Sequence, residues 1–64
     1  MAEEPLTAYQ MGKIAHDHSI PDPTMDKPFM KSVVNLPIAA NNNAFREWYR
    51  GWTDANLLAR YKFN

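Results

Sequence analysis

The sequence predicts an all-α protein: a two-helix hairpin whose helices are joined by a long proline-containing connector. Prolines at 5, 21, 23, 28 and 37 leave two stretches long enough for an ordinary helix, about 6–18 and about 44–61. Each of these stretches gathers small or apolar residues on one helical face. The stretch between, about 19–43, holds four prolines and the run Asn41-Asn42-Asn43, and reads as irregular. The 64 residues form one small domain.

The first helix follows Pro5, whose fixed φ and missing N–H are tolerated at a helix start. Glu3 and Glu4 lie near the positive end of the helix dipole. Ala8, Met11, Gly12 and Ala15 fall at i, i+3, i+4 and i+7, so they share a face. Most are small, which suits close approach by another helix. Ser19-Ile20-Pro21 ends the helix, because a residue before proline is pushed out of the α region.

In the connector, Phe29, Met30, Val33, Val34, Leu36 and Ile38 are scattered apolar residues. They either cap the open face of the two helices or mark a protein interface. Ser32 to Leu36 has strand-like composition, but a lone strand has nothing in this chain to pair with.

The second helix opens on asparagines, which are good N-caps. Phe45, Trp48, Trp52, Ala55 and Ala59 step by three and four and form a buried stripe that Leu58 widens. Arg46, Arg50, Asp54 and Arg60 lie off that stripe, with Lys62 at the C-terminal end. Glycine inside a helix costs about 1 kcal/mol against alanine, so Gly12 and Gly51 mark where the two helices touch. The expected core is Gly12, Ala15, Phe45, Trp48, Gly51, Trp52 and Ala55.

Composition excludes several functional classes. A domain of this size buries only about 60% of its unfolded surface and needs support from disulfides, a metal or association. There are no cysteines, and two histidines do not make a four-ligand zinc site alone. His16 and His18 sit two apart and point away from each other on a helix, so they read as a polar helix end. Asp22 and Asp26 show no Ca²⁺-loop spacing. No metal and no cofactor are expected, and association with a partner is the remaining support. The chain has neither Gly-x-Ser-x-Gly nor a glycine-rich phosphate loop, so an enzyme with a buried substrate pocket is not expected. Seven basic and seven acidic residues balance. No apolar run approaches a membrane span and the N-terminus is unlike a signal peptide, so the expected setting is the cytoplasm without membrane contact.

Two sets of residues carry the candidate chemistry. Trp48 and Trp52 read either as base-stacking platforms or as core, and the stripe favours core. Arg46, Arg50, Arg60 and Lys62 form a candidate basic edge for phosphates or an acidic partner, with Lys13, Lys27 and Lys31 as further candidates. The alternative for Arg50 is an ordinary ion pair with Asp54 one turn on.

The spacing Trp48-x-x-Gly51-Trp52-x-x-Ala55, within the string from Arg46 to Ala55, resembles the second helix of the ribosome modulation factor family, which includes many short phage-encoded proteins. Ala8-Tyr9-x-x-Gly12-x-x-Ala15 is similar to that family's opening helix, and Lys27-Pro28-Phe29 to its proline-aromatic step. The resemblance covers about residues 8–56 in three blocks. It implies a helical hairpin that binds the small ribosomal subunit near the 3′ end of its RNA and dampens translation. A different class also fits the neutral charge and the apolar connector: a small protein-binding inhibitor or adaptor, such as a phage host-takeover or anti-defence factor, with the same hairpin and no RNA binding. A homo- or hetero-oligomeric subunit is a third reading.

Overall fold

The computed structural model describes residues 6–62. Those residues are all-α, in the order α1 (Ala8–Asp17), a single 3-10 turn (Pro23–Met25), α2 (Lys27–Val33) and α3 (Ile38–Lys62), with no strand among them. Glu3, Glu4 and Pro5, expected to start the first helix, lie outside the described residues, as does the Lys62 side chain.

Side chains open α1 and the backbone closes it. Thr7 Oγ1 accepts from the Gln10 N–H at 3.1 Å, and Gln10 Oε1 accepts from the Thr7 N–H at 2.8 Å. This reciprocal capping box satisfies two of the otherwise orphaned N–H groups. At the other end Ser19 takes a left-handed φ of 59°. The Ile20 N–H then reaches the Ala15 carbonyl at 2.9 Å and the Ser19 N–H reaches His16 at 3.1 Å. That is a Schellman closure, with serine in the position glycine usually fills.

The connector is ordered by two aspartates. Asp22 Oδ1 accepts from the Thr24 hydroxyl at 2.7 Å and the Thr24 N–H at 2.8 Å, which holds its carboxyl below the usual range. Asp26 caps α2 through the Phe29 N–H and also accepts the Trp48 indole N–H at 2.8 Å. The Trp52 indole N–H donates to the Ile20 carbonyl at 2.8 Å. Both indoles therefore fasten the connector onto α3.

Trp48 and Phe29 are fully buried, and Ala15 and Val33 complete the core. Phe29 meets Phe45 edge-on, with ring centroids 5.2 Å apart, and lies tilted against Trp48. Met11, Ile20, Met30, Ala44 and Trp52 pack around this cluster.

The path of α1 over α3 is steep. Tyr9 contacts Gly51 and Asp54, Gly12 contacts Trp48 and Trp52, and His16 reaches Trp52 and Asn56. Asp54 and Asn56 are close along the helix axis but lie on nearly opposite flanks, about 160° apart at 100° per residue. α1 thus traverses α3 from flank to flank instead of lying alongside it. The whole is a flat body of 41 × 31 × 17 Å.

Four expectations change. The connector is not irregular: Lys27–Val33 is helical, because Asp26 caps it and Pro28 in its first turn needs no N–H. The stretch Ser32 to Leu36 accordingly ends a helix and makes no strand. The last helix starts at Ile38 instead of about 44, because the Pro37 carbonyl accepts from the Asn41 N–H and Ala44 and Phe45 pack on the core. Asn41 caps α2 instead, donating from Nδ2 to the Val33 carbonyl at 3.1 Å. Leu58, expected to widen the buried stripe, is 55% exposed, because α3 runs on past the place where α1 crosses it.

Candidate functional site

The crossing of α1 and α3 is built on reciprocal glycines. A Cβ on Gly12 would lie 1.9 Å from the Trp48 carbonyl oxygen, and one on Gly51 would lie 2.0 Å from the Tyr9 carbonyl oxygen. Each glycine directs a Cα hydrogen at a carbonyl of the opposite helix, a weak attraction open only to glycine at this distance. Gly12, Ala15 and Trp48 are buried, as is Gly51, while Phe45, Trp52 and Ala55 are half-buried. Trp48 gives its ring to the core and its N–H to Asp26, so no face of it is free for a base.

This crossing leaves one side of α3 uncovered. Arg46, Arg50 and Arg60 are all exposed. At 100° per residue they fall within an arc of about 80°, together with the exposed Thr53 and Leu57. Arg50 lies 4.0 Å from Glu47 in an exposed i,i+3 pair, which contributes little. The expected Arg50–Asp54 pair does not form, because Asp54 Oδ2 accepts from the Tyr9 hydroxyl at 2.5 Å. Lys13 stands 5.5 Å from the centroid of the Tyr9 ring. Lys27 and Lys31 are exposed on α2, away from the arginine stripe.

The formal charge of zero conceals a division of charge along the chain. Residues 1–26 carry five acidic side chains and one lysine, whereas residues 27–64 carry six cations and two acids. From Lys27 to Arg46 there is no acidic residue at all. α2 and α3 therefore carry a local excess of positive charge. Counting the charges by segment would have shown this from the sequence.

Tyr9 carries a titration signature. Its hydrogen bond to Asp54, with burial and the carboxylate's charge, raises its pKa above the ordinary 10.0. A group raised in the folded state stabilises the fold below the unfolded value and ceases to do so as pH climbs through the raised value. The fold therefore weakens above about pH 10. Tyr9→Phe removes that part of the alkaline loss, which urea midpoints for both proteins from about pH 8 to 11 test. Equal alkaline slopes would contradict it.

Tyr9, Asp54, Leu57, Leu58 and Tyr61 also line a shallow groove of about 320 Å³, open to solvent. Its walls are mainly apolar, and its one carboxylate, Asp54, accepts from the Tyr9 hydroxyl. His16 is half-buried, edge-on to Trp52 with centroids 5.0 Å apart, and its Nε2 is 3.2 Å from Asn56 Oδ1. It lies in the last turn of α1 and also takes part in the helix crossing. Among the described residues no three His, Asp or Glu side chains gather as a metal site, and no helix is long and apolar enough to cross a membrane. No protein-family model, no curated protein and no solved structure matches the chain.

Proposed function

We propose that this protein is a ribosome-modulation-factor-like binding protein, acting in the cytoplasm without enzymatic chemistry, that docks on the RNA of the small ribosomal subunit and dampens translation by occlusion. The observation that carries the reading is the stripe Arg46, Arg50 and Arg60, exposed on one side of a helix that the Gly12–Gly51 crossing holds rigid. Arginine forks match phosphate geometry, and a pre-ordered helix loses little further entropy on binding. The local excess of cations from Lys27 onward supports the same reading, since phosphate affinity follows the charges at the contact and not the net charge of the chain. The crossing also accounts physically for the residues that carry the family resemblance, namely Gly12, Trp48, Gly51 and Trp52.

Sedimentation with purified small subunits over a salt series tests this. Binding falls steeply with salt, and replacing Arg46, Arg50 and Arg60 together by glutamine lowers the slope of log K against log salt by about 2. No co-sedimentation at low salt, or a slope that the triple variant leaves unchanged, is the contrary result.

The protein-binding alternative is favoured by a different observation, the exposed apolar residues Val34, Leu36 and Ile38 at the turn between α2 and α3.

A further inference from the structure

The turn between α2 and α3 is an exposed apolar tip fastened by hydrogen bonds. The Leu36 N–H donates to the Val33 carbonyl at 3.1 Å, the Asn41 N–H to Pro37 at 2.8 Å, and Asn41 Nδ2 to Val33 at 3.1 Å. These bonds pin both ends of the turn, yet its side chains face water. Val34 is 70% exposed, Ile38 82%, and Leu36 is exposed as well. Aliphatic side chains displayed on a pinned turn leave most of the Val34 and Ile38 surface to water, and their immobility lowers the cost of burying them against something else.

The surroundings of the tip define what covers it. Lys31 and Val34 are i and i+3, so this exposed lysine lies one turn before the tip, with Lys27 a further turn back on the same stripe of α2. The acids nearest in sequence, Asp26 and Glu47, lie at the far end of α2 and more than two turns into α3, and the Asp26 carboxylate is buried and bonded to Trp48. The complementary surface is apolar at its centre and acidic at its rim. Nucleic acid does not have that character at such a tip: single strands are held by aromatic platforms, and Val34, Leu36, Pro37 and Ile38 include none.

We infer that the α2–α3 tip, Val34, Leu36 and Ile38 with Lys31 one turn before them, is a second docking surface whose occupant is an acidic-rimmed apolar patch on a protein. The inference rests on the ribosome-binding reading, and there it makes attachment bipartite: the arginine stripe takes phosphates while the tip takes a neighbouring protein of the subunit. The two surfaces differ in their dependence on salt. Contacts of the arginine stripe release counterions, whereas the tip contributes mainly by burying apolar area, which salt does not weaken.

The test uses the full chain and purified small ribosomal subunits. Leu36→Ser with Ile38→Ser changes only exposed side chains, so helical content by circular dichroism stays at the wild-type level. The double variant binds at least about tenfold more weakly at every salt concentration, with the salt slope unchanged. In parallel, a benzophenone amino acid placed at position 38 crosslinks to a ribosomal protein, and the same group at position 53, on the arginine stripe, crosslinks to RNA. If wild type does not sediment with subunits, the ribosome reading falls and this inference falls with it. If wild type sediments but the double variant binds equally well, or position 38 crosslinks to RNA alone, the tip inference is wrong and the ribosome reading stands.

Discussion

Gly12→Ala abolishes the fold, and Gly51→Ala does the same. Alanine in place of a mid-helix glycine ordinarily stabilises by about 1 kcal/mol. Here the sign reverses, because the new methyl would lie 1.9 Å from the Trp48 carbonyl oxygen, or 2.0 Å from that of Tyr9. The obstacle in each case is backbone inside a hydrogen-bonded helix, which cannot rotate aside as a side chain would. Restoring an ordinary contact of about 3.4 Å moves the helices apart by about 1.5 Å. That separation draws Ala15 and Met11 away from Trp48. Overpacking costs about 1–3 kcal/mol where neighbours yield, and more where they do not. A domain of this size holds only about 3–5 kcal/mol in total. Each variant therefore loses the cooperative thermal transition that wild type shows by far-UV circular dichroism. An unchanged or raised melting temperature would mean that the helices do not touch at these positions.

Trp48→Ala has the second large effect. The ring is fully buried, against Phe29 and Tyr49, and its N–H satisfies Asp26. Removing a buried indole costs about 3–5 kcal/mol, which equals the whole stability expected of the domain. Trp48→Phe separates the two contributions. It retains an aromatic ring but leaves Asp26 Oδ2, in a residue only 6% exposed, without its donor, at a cost of about 1–3 kcal/mol. Trp52→Phe costs less, because Trp52 is half-exposed and the Ile20 carbonyl it releases lies near the surface. Urea midpoints in the order wild type, Trp52→Phe, Trp48→Phe, with Trp48→Ala unfolded, express the account. A Trp52 variant weaker than its Trp48 counterpart contradicts it.

The elements that could be read from the sequence were those whose determinants are local. The Ala8–Met11–Gly12–Ala15 face and the Phe45–Trp48–Trp52 stripe are periodic, and a glycine inside a helix has few uses other than close approach. The capping box from Thr7 to Gln10 is equally local, a threonine followed three residues later by glutamine. The rest depended on contacts far apart in the chain. Lys27–Val33 is short and begins with a proline-containing turn, so propensity alone does not reveal it. It forms because Asp26 serves both its N-terminus and the Trp48 indole, 22 residues away. Asn41 resembles an N-cap in isolation and becomes a cap for the preceding helix only when α2 is present. The steep crossing, which leaves Leu57, Leu58 and Tyr61 exposed, follows from how Tyr9 and His16 straddle α3, and no periodicity encodes it. Among the candidate site residues, the shared face of Arg46, Arg50 and Arg60 followed from helical spacing. The diversion of Asp54 from Arg50 to Tyr9 did not, since it takes a tyrosine 45 residues away.

Proton–proton contacts in a solution NMR spectrum test the glycine crossing most directly. The position of a Gly12 Cβ is 3.0 Å from the Trp52 amide nitrogen, and that of a Gly51 Cβ is 3.2 Å from the Tyr9 Cα. Strong cross-peaks are expected from Gly12 Hα to the Trp52 amide proton and from Gly51 Hα to Tyr9 Hα. Their absence from a folded, well-dispersed spectrum would show that the helices meet elsewhere, and the rigid presentation of the arginine stripe would lose its basis.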